Sequence, residues 1–60
     1  MTNQEKLNAR CKEMFLYGTI TSDIDIEGND GFHRMTTITY ENKKYMLHKF
    51  NGECIEIFEI

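Results

Sequence analysis

The residues able to do chemistry fall into three groups, and spacing judges each of them. DIDIEGND, residues 23–30, sets carboxylates at alternate positions before a glycine, as at the opening of a calcium loop. Further along, the match fails. Arg34 stands where a bidentate glutamate is needed, and Ile24 and Ile26 occupy positions that suit the apolar side of a strand. A strand with an acidic solvent face, Asp23, Asp25 and Glu27, followed by a glycine turn is the better reading. In water, Asp23 and Asp25 also lack the desolvation that would divide them into an acid and a base.

His33, His48 and Cys11 form the second group, expected to approach one another beneath a helix, where they would suggest a metal site or a Cys-His nucleophile. Two partly buried histidines of a small sheet explain them more simply. No CxxC or HxxxH spacing points to zinc, so no metal ligand, cofactor or catalytic residue is assigned. Cys54 is expected on the opposite face from Cys11. That argues against an internal disulfide, and reduced thiols suit a cytoplasmic protein.

The third group is Arg34, Lys43 and Lys49 near Tyr40, Tyr45 and Phe58, the composition of a base-stacking platform with phosphate-binding rims. Glu56, the acidic stretch and the net charge of -3 oppose it, because each repels phosphate.

The elements that must position these residues are legible from periodicity. TNQE fits a capping box, and Leu7, Cys11, Met14 and Phe15 then form one apolar stripe on a helix over about 3–17, which Gly18 ends in a left-handed conformation. After Gly18 the period becomes two. Strands are expected over 19–27, 32–40, 43–50 and 53–60, joined by GNDG, a tight turn near Glu41 and Asn42, and Asn51-Gly52. The chain therefore reads as one small α+β domain, residues 1–60, with an N-terminal helix packed on one face of a three- to four-stranded antiparallel β-meander.

Even loop lengths then sort the side chains. Ile20, Ile24, Ile26, Met35, Met46, Phe50, Ile55 and Ile57 gather on one face, the expected seat of the helix, with Leu7 and Phe15 against Ile24, Met46 and Ile57. Ile38, Tyr40, Tyr45, Leu47, Phe58 and Ile60 gather on the other, which one helix cannot also cover. An exposed apolar patch of that kind marks an interaction site.

Sixty residues bury only about 60% of the surface of the unfolded chain, so the core is marginal and a second subunit is a natural supplement. The start of the chain, MTNQEKLNAR, lacks the apolar core of a signal peptide, and the longest apolar run, MFLY, is too short to cross a membrane. The absence of Pro, Trp and Val beside abundant Ile, Asn, Lys and Glu hints at an AT-rich genome.

These features point to a non-catalytic protein-binding module, an inhibitor or adaptor of phage or mobile-element origin that occupies a surface of a host protein. Its partner-binding residues are the second set above, and its partners are an unidentified protein and a second copy of itself. The last strand, NGECIEIFEI, is expected to end at a sheet edge with neither Pro nor bulge to protect it. A homodimeric nucleic-acid-binding module and a small regulatory subunit are the alternatives.

Overall fold

The computed structural model describes residues 2–60. Helix α1 (Asn3–Tyr17) precedes β1 (Thr19–Gly28), β2 (Gly31–Tyr40), β3 (Lys43–Phe50) and β4 (Glu53–Glu59), and the four antiparallel strands lie in sequence order. This is an α+β fold with the helix packed on one face of the meander.

Local chemistry accounts for each boundary. Thr2 accepts from the Glu5 amide at 3.2 Å while the Glu5 carboxylate receives the Thr2 amide at 3.2 Å, closing the capping box. Positive φ at Glu41 and Asn42, and again at Asn51 and Gly52, makes both later turns the mirror-image type that matches strand twist. At the other end of the helix, Gly18 is extended (φ -89, ψ 174) rather than left-handed. Glycine is required there by proximity: an added Cβ would collide with the Ile38 side chain and lie 2.6 Å from the Met14 carbonyl oxygen.

Two β-bulges depart from simple alternation. One falls at Thr21, where Ile20 pairs with Ile38 but Ser22 pairs with Thr37. The other falls at Ile55, where Lys49 pairs with Cys54 but His48 pairs with Glu56. Beyond the second bulge every β4 side chain has changed sides, so Ile57 lies opposite Leu47 and Phe58 opposite Met46.

The helix sits on the side opposite to the one expected. Its stripe of Cys11 and Met14, flanked by Leu7 and Phe15, closes over Ile38, Leu47 and Cys54, with Tyr40, Tyr45 and Ile57 around them. The two central strands explain the choice. One side presents Ile38 and Leu47 at mid-sheet, with Thr36 satisfied by Asp23; the other interleaves Met35 and Met46 with Thr37, His33 and His48, whose polar atoms lose water if a helix covers them. The isoleucines that suggested the opposite seat, Ile24 and Ile26, lie on edge strand β1.

Candidate functional site

The sheet face away from the helix is the candidate site. By register it carries Ile24 and Ile26 from β1, His33, Met35 and Thr37 from β2, Met46, His48 and Phe50 from β3, and the exposed Glu56 with Phe58 from β4. Ile60 extends it, held by its amide donating to the Lys44 carbonyl at 2.9 Å. Ile24, Ile26, Phe58 and Ile60 are 54%, 50%, 41% and 64% exposed, whereas Ile38 and Leu47 on the covered side are both 0% exposed.

Of the residues expected to bind a partner, the fold therefore divides the set. Phe58 and Ile60 lie on the open face. Ile38 and Leu47 are core, and Tyr40 and Tyr45 pack half-buried beside them under the helix. Ile24, Ile26, Met35 and Met46 take their place. The polar mid-strand residues Thr37 and His48 were the signal in the sequence that could have found them.

A polar chain crosses the open face near its first turn. His33 Nε2 lies 3.0 Å from Asp30 Oδ1, and His33 Nδ1 lies 2.9 Å from His48 Nε2, with the Phe50 ring packed against His33 at 4.9 Å between centroids. One proton must lie between the two imidazoles for that contact to form. The hydrogen bond from His33 holds the Asp30 carboxyl below its ordinary pKa. Cys11 does not join this group, because it lies on the other side of the sheet. The expected meeting of His33, His48 and Cys11 thus reduces to the two histidines.

The remaining sequence candidates find internal partners. Arg34 Nε lies 3.1 Å from Asp23 and 3.0 Å from Asp25, and Thr36 Oγ1 donates to Asp23 at 3.0 Å. The acidic stretch is thereby a guanidinium clamp on the covered side of the sheet, beyond the helix. The base-stacking set is dispersed: Lys43 lies 3.9 Å from Glu59, Lys49 lies over the Phe15 ring, and the Arg10 guanidinium lies over Tyr40.

Cys54 is also displaced from its expected place, and now shares the buried helix-sheet seam with Cys11. Its amide donates to Asn8 Oδ1 at 3.1 Å and its carbonyl accepts from Gln4 Nε2, so the helix engages both backbone groups at this point of β4. The β4 edge is thus protected by a bulge and by helix side chains.

Comparison with protein-family models, curated proteins and solved structures gives no match. No helix among the described residues is long and apolar enough to cross a membrane.

Proposed function

We propose that this chain is a non-catalytic protein-binding module that pairs with a second copy of itself by stacking the two open sheet faces. The dimer is then the unit that occupies a host protein as a small inhibitor or adaptor. The observation that carries this reading is the exposure of Ile24, Ile26, Phe58 and Ile60 around Met35 and Met46 on one face. Strands of this length and spacing make a face of about 25 by 19 Å. Two such faces stacked would bury on the order of 1,000 Å², which meets the lower bound for a specific interface.

Charge placement supports a second copy as the occupant. Lys44 lies at one end of the open face and Glu53, paired with Phe50, at the other. A twofold axis in the sheet plane and across the strands brings each lysine end over the glutamate end of its partner. Edge-to-edge pairing through β4 is disfavoured by the bulge at Ile55 and by Asn8 and Gln4. Nucleic-acid binding has less support, since Arg34 is engaged by two aspartates and Tyr40 and Tyr45 lie under the helix.

Sedimentation equilibrium tests the reading on wild type, on Ile24→Lys with Phe58→Lys, and on Leu16→Lys, which alters an exposed apolar residue of the helix. Wild type and Leu16→Lys are expected to dimerise at high micromolar concentration, and the double variant to remain monomeric with unchanged circular dichroism. A wild type that stays monomeric rejects the dimer. A double variant that still pairs moves the contact elsewhere.

A further inference from the structure

We propose that Cys11 and Cys54 are a dithiol pair that closes to an intramolecular disulfide, stapling α1 to β4. Both thiols are buried in one cluster at the helix-sheet seam, at 2% and 1% exposure. Asn8 fixes their proximity: its side chain holds the Cys54 amide at 3.1 Å, and residues three apart on a helix carry their side chains on one face, about 5–6 Å between Cβ atoms. Gln4, one turn earlier, holds the Cys54 carbonyl. The strand residue is thus clamped against the turn of helix that bears Cys11.

A cleft of about 280 Å³ is lined by both cysteines together with Asn8, Lys12, Phe15, Lys49 and Gly52. Its two ammonium groups suit an anionic oxidant such as oxidised glutathione. One chain thiolate attacks a sulfur of that disulfide and releases one glutathione thiol. The second chain thiolate attacks the mixed disulfide and releases the other. The chain thus loses two protons and two electrons, and the oxidant's S–S bond is reduced to two thiols. Burial and the neighbouring Cys54 raise the Cys11 thiol to about 11, with Lys49 acting in the opposite sense, so closure accelerates as pH rises. The pair lies on the opposite side of the sheet from the proposed dimer contact, so this inference stands apart from that reading.

The test is to incubate the reduced native chain with oxidised glutathione at about pH 8.5 and follow mass and thiol content. The expected product is a monomer lighter by two hydrogens that takes no iodoacetamide after unfolding. Its melting temperature should rise by on the order of 10 °C, because the bond closes a loop of roughly forty residues. Cys11→Ser and Cys54→Ser should each stop at a single glutathione adduct. In glutathione redox buffers, the effective concentration of the pair should be at least about tenfold higher in native solution than in urea. Persistent free thiols, only adducts or cross-linked dimers, or equal effective concentrations in the two solvents would overturn the proposal.

Discussion

The two faces of this sheet have similar numbers of apolar side chains and opposite fates. The covered face places Ile38 and Leu47 on the central strands, where one helix of four turns reaches both, and it leaves its charges, Asp23, Asp25 and Arg34, on the flank beyond the helix. The open face spreads Ile24, Ile26, Phe58 and Ile60 over its two margins and mixes His33, Thr37 and His48 with Met35, Met46 and Phe50 on the central strands. Position outweighs number. A single helix covers the middle of a four-stranded sheet, so the face with the better middle is buried, and the one with the better margins stays exposed.

The most severe way to break this contrast is to truncate one residue on each face. Leu47→Ala should cost about 2–5 kcal/mol, comparable with the whole stability of so small a domain, and thermal melting should show most of the chain unfolded. Ile24→Ala should change stability by less than about 0.5 kcal/mol at concentrations where the chain is monomeric. Equal losses at both positions would mean that the faces are not distinguished as described.

Gly18→Ala attacks the seat of the helix. The new methyl meets Ile38 and the Met14 carbonyl, so a substitution that ordinarily favours a helix should here cost about 1–3 kcal/mol, measured as a shift in urea midpoint. Asn8→Ala probes the clamp on β4. It leaves the Cys54 amide without its acceptor at a partly buried site, for an expected loss of about 1–2 kcal/mol, whereas Lys12→Ala on the exposed helix surface should be near neutral.

The smallest expected effect is on the open face. Because folding depresses the Asp30 pKa, its contribution is present above the ordinary aspartate value of 3.8 and is lost as pH falls through the lower folded value. Asp30→Asn should therefore flatten the acid limb of a stability-against-pH curve below about pH 4 and leave neutral stability nearly unchanged. An acid limb that the substitution does not alter would show that the His33 contact contributes nothing measurable.

Periodicity alone determined the helix, its capping box, the four strands and the two later turns, because each is written in neighbouring residues: Thr2 with Glu5, Glu41 with Asn42, Asn51 with Gly52. It also determined which side chains of β2 and β3 share a face, since two-residue turns set the parity of the strands they join. The tertiary structure decided the rest. Bulges at Thr21 and Ile55 have no local marker here, yet the second placed Ile57 on the helix side and Phe58 on the open side, while Cys54, which keeps its turn-set pairing with Lys49, meets Cys11 because the helix covers that side. Which face the helix covers was equally beyond local pattern. It depends on the shape and polarity of the mid-sheet surface, Ile38 and Leu47 against Thr37 and His48, and that surface exists only once distant strands have paired.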